Sequence, residues 1–168
     1  MKLHGELSVN GKSYKKGDDV HWLCIYPFFF VHMGMFGLSG FFLAYADKES
    51  PTFFLFLHGG FAIFIYTIFY KTIFGMESIK WMFINGALGL FGIYSELDWI
   101  LSLFGTEIGD YPPYTHIIPF LYYILYTFLL RQAFLDFTRS RDDAEKQRRA
   151  ERKYIIISMV VYAIFYVI

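Results

Sequence analysis

Residues 51–70 read PTFFLFLHGGFAIFIYTIFY, a run without a single Asp, Glu, Lys or Arg. As a helix rising 1.5 Å per residue it reaches roughly 30 Å, the thickness of a bilayer's hydrocarbon core. The rest of the chain repeats the pattern. Apolar segments at 21–46, 79–104 and 113–137 each reach roughly 30 Å or more, whereas 154–168 reaches only about 22 Å. Of the 168 residues 56% are hydrophobic and 23% aromatic, including 21 Phe and 14 Tyr. A soluble domain of this size cannot hide that much apolar surface in one core. The expected fold is therefore an all-α polytopic membrane bundle, with four transmembrane helices and a short fifth apolar helix.

Four units follow from this: a polar arm at 1–20, a four-helix transmembrane domain at 21–137, a charged helical connector at 138–153, and the short membrane helix at 154–168. In the arm, Asn10-Gly11 stands between short alternating flanks, the sequence of a tight hairpin turn. The first 20 residues are too polar, and the apolar run after them too long, for a cleavable signal peptide. A lone Cys24 excludes an internal disulfide and any paired-cysteine metal or redox motif.

Charge sets the expected orientation. Of the 15 Lys and Arg, all but Lys48 fall in the arm, at Lys71 and Lys80, or between Arg131 and Lys153. The excess of cations on the cytoplasmic side of membrane proteins then puts the N-terminus and the 138–153 connector in the cytoplasm of a bacterial-type inner membrane. The opposite connections carry Asp47, Glu49, Glu107 and Asp110. The connector RSRDDAEKQRRAERK (139–153) reads as a solvated extension of the fourth segment, braced by charge pairs at three- and four-residue spacing. It could also meet anionic lipid head groups. Its acids make it a poor nucleic-acid site, so membrane lipid, and no nucleic acid, is the expected contact.

Two glycine strips stand out: Gly34, Gly37 and Gly40 in the first segment, and Gly86, Gly89 and Gly92 in the third. Small residues at this spacing let helices approach closely, and the two strips are expected to bring the first and third helices together, within one subunit or between subunits. With IYTIFYK (65–71) matching LYTFLLR (125–131), they also raise a two-helix duplication. Lys71 and Arg131 read as interfacial cations with their heads in water.

Intramembrane ionisable groups are costly and carry most of the functional signal. In GIYSELDWILS (92–102), Glu96 and Asp98 sit two residues apart, about 200° around a helix, so they cannot share a face. Glu96, the deeper, is expected to point into the bundle. His58, Glu96 and His116 fall at a similar outer depth on three helices, with Asp98 just above. Two imidazoles and a carboxylate suit a divalent metal, or a proton relay.

His32 and His58 form a second set, nearly level on adjacent antiparallel helices, where facing histidines could ligate haem b. VHWL (20–23), and a helix with His58 followed by Gly60, resemble the four-helix bacterial b561-type cytochromes. That resemblance implies axial haem ligands, although the third segment contains no histidine, which departs from the family pattern.

Three function classes remain open on the sequence: a channel- or transporter-type subunit handling an ion or solute at an outer-leaflet polar site, an assembly subunit of a larger membrane complex, and a haem or metal redox protein. Small size, glycine strips and aromatic surface suggest a homo-oligomer or a subunit of such a complex. No nucleophile–base order or phosphate loop is present.

Overall fold

The computed structural model describes residues 1–9, 11–46 and 52–167. Asn10, the outward connection 47–51 with its Lys48, and Ile168 lie outside them. Two short antiparallel strands, β1 (Leu7–Val9) and β2 (Lys12–Tyr14), form the hairpin expected of Asn10-Gly11. Six α-helices follow: α1 (Tyr26–Tyr45), α2 (Thr52–Phe74), α3 (Met76–Leu88), α4 (Leu90–Ser102), α5 (Ile117–Phe137) and α6 (Ala144–Val167). A 3₁₀ turn at Trp22–Cys24 leads into α1, and turns at Ile108–Asp110 and Pro113–His116 lead into α5.

Three of these stretches are long and apolar enough to cross a membrane: Trp22–Tyr45, Thr52–Phe74 and Pro113–Phe137. The expected third span is not one continuous helix. It is divided at Gly89 into α3 and α4 of 13 residues each, about 20 Å apiece. The Gly89 N–H is shared between the carbonyls of Asn85 (2.9 Å) and Gly86 (3.2 Å), and the ladder resumes at Ile93. Glycine is a weak helix former, and the Tyr123 ring lies against this point. A Cβ on Gly89 would stand 2.7 Å from the Tyr123 hydroxyl.

α5 is the hub and packs against each of the other helices. Its Ile118, Leu125, Phe128 and Leu129 are almost wholly buried. The neighbours receive its bulk at glycines. A Cβ on Gly40 of α1 would stand 2.6 Å from the Tyr122 ring, and one on Gly59 of α2 would stand 2.9 Å from Leu121. Gly86 of α3 sits as close to Ile124. Within the chain Gly40, Gly86 and Gly89 therefore receive α5, on which α1 and α3 each pack. Gly37 only grazes Tyr122, Gly34 meets no neighbour, and Gly92 receives Tyr162 of α6. The outer faces of α1 and α2 are apolar and exposed, with Phe28, Phe42, Phe53, Phe56, Phe61 and Phe64 turned outward.

The arm is tied down. Leu3 and Val20 are buried, Leu3 N–H donates to the backbone carbonyl of Asp18 (3.0 Å), and His4 N–H donates to the carbonyl of Thr72 at the end of α2 (3.0 Å). Gly75 is the whole connection between α2 and α3. Its φ of 87° lies in the left-handed region, and a Cβ there would stand 2.7 Å from the His4 imidazole. Gly75→Ala is therefore expected to destabilise the bundle by about 1–3 kcal/mol, from backbone strain alone. A thermal midpoint in detergent no lower than wild type would refute this.

The same end holds a buried polar cluster. Asp136 of α5 accepts from Arg141 Nε (2.7 Å) and Nη2 (2.9 Å) and from the Tyr26 hydroxyl of α1. Arg141 also lies over the Phe74 ring of α2 (5.4 Å). Burial works to lower the Arg141 proton affinity, but the carboxylate of Asp136 outweighs it and leaves the guanidinium above its ordinary value.

The connector also departs from expectation. It does not extend the fourth segment. The chain turns at Thr138–Asp143, with Arg139 at φ 50° and Ser140 buried, and the charged residues form the first half of α6. Asp143 caps this helix, accepting from the N–H groups of Glu145 (3.0 Å) and Lys146 (3.1 Å). The Lys146 N–H in particular holds its carboxyl below the usual range. Asp143–Lys146 and Glu145–Arg149 pairs run along it at the expected spacings.

Candidate functional site

α6 meets the bundle along one face. Ala150, Tyr154, Ser158 and Tyr162 recur every four residues and turn toward α5 and α4, while Ile155, Ile156, Met159 and Val160 are exposed. The contact is made of polar rungs. Arg131 of α5 pairs with Glu151, which also accepts from Gln147 (3.0 Å). The Tyr154 hydroxyl donates to the carbonyl of Thr127 (3.1 Å), Thr127 Oγ1 donates to that of Tyr123 (2.7 Å), and the hydroxyls of Tyr123 and Tyr162 bond each other. Arg131 is thus no water-facing interfacial cation; it is buried, whereas Lys71 is exposed.

Clefts flank this ladder. One of about 270 Å³ is bounded by Asn85 and Gly89 at the helix break and by Thr127, Tyr154 and Ser158. It adjoins a smaller one at Trp81, Arg131 and Glu151. The third, about 300 Å³, holds Glu96 among Tyr123, Tyr126, Phe134, Tyr154 and Tyr162. Glu96 is half-buried and receives no hydrogen bond or ion pair from the described residues. Asp98 faces away, exposed, and accepts from the Ile108 N–H (3.3 Å), tying the 108–110 turn to α4.

The histidines are distributed elsewhere. His58 shares hydrogen bonds through both ring nitrogens, with Ser39 Oγ (3.2 Å) and the Tyr122 hydroxyl (3.3 Å). His116 bonds the Tyr45 hydroxyl (2.9 Å), beside Tyr111. Among the described residues no three His, Cys, Asp or Glu side chains gather closely enough to hold a metal ion. The set His58, Glu96, His116 and Asp98 is therefore not brought together. Nor are the two candidate haem ligands: His58 lies opposite Ser39, and His32 is about 10 Å further along α1. His32 is exposed, bonded through Nδ1 to the carbonyl of Phe28 (2.8 Å).

Among the residues that line the clefts, Glu96, Gly89 and Arg131 are singled out by the sequence and Tyr126 and Thr127 fall in the matched LYTFLLR run, whereas Asn85, Tyr123, Tyr154, Ser158 and Tyr162 are not. The four-residue spacing of Tyr154, Ser158 and Tyr162 is the signal that could have found them, since it marks one helical face. The chain matches no family model, no curated protein and no solved structure.

Proposed function

We propose that the protein is a membrane-embedded subunit that handles an ion or small solute, and that its polar site is the chamber holding Glu96. One observation carries this. A carboxylate with no hydrogen-bond or ion-pair partner among the described residues opens on a tyrosine-lined chamber of about 300 Å³. Ionisable groups in membrane segments are costly and mark pathways or binding sites. The break at Gly89 supports the same reading, because discontinuous helices border substrate sites in many transporters.

On this reading α3 and α4 cross as one broken span, and the apolar half of α6 enters the membrane beside them. The cation excess at the end carrying the arm, Gly75 and the start of α6 supports a cytoplasmic position for that end, in a bacterial-type inner membrane. The exposed apolar faces of α1, α2 and α6 meet lipid or a second copy of the chain.

The test is bilayer current carried by protons, sodium, potassium or choline through the reconstituted protein, with Glu96→Gln beside wild type. We expect the variant to lose the current while its elution volume and thermal midpoint are unchanged. Unchanged current in the variant refutes the role of Glu96. Loss of assembly together with current makes the chain an assembly subunit instead.

A further inference from the structure

We infer that the Glu96 chamber takes a small organic ammonium ion, with the carboxylate and the surrounding aromatic faces sharing its charge. This rests on the reading of that chamber as the solute site and names what it would hold.

The chemistry of the walls narrows the occupant. Glu96 brings one negative charge and Asp98 faces elsewhere, so the chamber favours a cation. The nearest base along the ladder, Arg131, is spent on Glu151, and among the described residues no basic side chain lines the chamber to meet an anion. A hard metal ion asks for about six oxygen ligands. Glu96 is the single carboxylate among the described lining residues, and among the described residues no three His, Cys, Asp or Glu side chains gather to hold such an ion.

What the tyrosines offer are ring faces. Tyr123, Tyr126, Tyr154 and Tyr162, with Phe134, line this half-open cleft, and the rings of Phe134 and Tyr154 stand 6.0 Å apart at 51°. Aromatic faces attract cations most strongly where water is excluded, and cages of them select ammonium groups too bulky and weakly hydrated for oxygen cages. A volume of about 300 Å³ has room for such an ion and lies at the small end of ligand sites.

The experiment is calorimetric titration of the full chain in lipid nanodiscs with choline, and with its uncharged isostere 3,3-dimethylbutan-1-ol. Choline is expected to bind saturably, and the isostere more weakly by about tenfold or more. Glu96→Gln and Tyr126→Leu should each weaken choline by about tenfold, whereas Tyr126→Phe, which keeps the ring face, should stay within about twofold. Tyr126 is 46% exposed and its ring meets Phe30 of α1 at 6.3 Å, a contact that Tyr126→Phe keeps, so that variant stays interpretable if Glu96→Gln misfolds. Equal binding of choline and the isostere, no saturable binding, or a Tyr126→Phe loss as large as that of Tyr126→Leu each overturns the inference. The two readings separate cleanly. Glu96-dependent proton current without choline binding removes only the ligand class, whereas choline binding without any current keeps the site and removes transport.

Discussion

Arg141→Met should destabilise the bundle by about 3 kcal/mol, the usual result of stripping one partner from a buried ion pair. The Asp136 side chain is 9% exposed, and Arg141 grips both of its oxygens in a fork. Without the guanidinium the carboxylate keeps one donor, the Tyr26 hydroxyl. The loss spreads because Arg141 stands where four pieces of chain converge. It touches the α5 carboxylate, the Gln132 carbonyl (3.3 Å), the Phe74 ring of α2 and, through Asp136, Tyr26 of α1. Asp136→Asn combined with Arg141→Met should recover at least half of the loss, since no buried charge then remains. The midpoint of denaturant-induced unfolding in mixed micelles measures both. A single-variant cost below about 0.5 kcal/mol would mean that water already screens the pair.

That cluster also shows where sequence reading stops. Residues 51–70 announce a membrane-length apolar helix by composition alone, and α2 is that helix, with Phe53, Phe54, Phe56, Phe61 and Phe64 facing outward. Local signals also sufficed for the hairpin at Asn10-Gly11 and for separating Glu96 from Asp98 around the helix. The two glycine strips show the limit. Gly34, Gly37 and Gly40 lie in an unbroken helix, whereas Gly89, in a strip of the same spacing, interrupts one. A tyrosine ring of α5 presses on both strips, Tyr122 on Gly40 and Tyr123 on Gly89, so the break is not legible in the glycine spacing.

Charge misled in the same way. Arg131 ends an apolar run and so reads as a cation reaching for water; only the reversal at 138–143 brings Glu151 back to it. The reversal itself was faintly legible, since Asp143 precedes Ala-Glu-Lys as a helix cap would. The density of charge around it read instead as one continuous helix. Splitting α6 into a charged connector and a short apolar tail then hid its face, because Ala150 and Glu151 fall in one piece and Tyr154, Ser158 and Tyr162 in the other.

Glu151→Leu should cost about 3 kcal/mol, and Arg131→Met only about 1 kcal/mol, although both break the same bond. The asymmetry follows from burial. The Arg131 side chain is 10% exposed and that of Glu151 29%, so losing the glutamate strands the deeper charge. Losing the arginine leaves a carboxylate nearer water that still accepts from Gln147. The cost should also localise. α6 is held to the bundle chiefly by this pair and the two tyrosine rungs, so stranding Arg131 loosens the helix beside its clefts before it unfolds the α5 core. Ser158→Cys in a Cys24→Ser background reports this directly, because Ser158 lines both of the larger clefts. Alkylation of that cysteine should speed up by about tenfold in Glu151→Leu if freeing α6 costs about 1.4 kcal/mol less than in the intact pair. Equal costs for the two single variants, or a faster alkylation in Arg131→Met than in Glu151→Leu, would mean that the aromatic rungs hold α6 and the ion pair only decorates them.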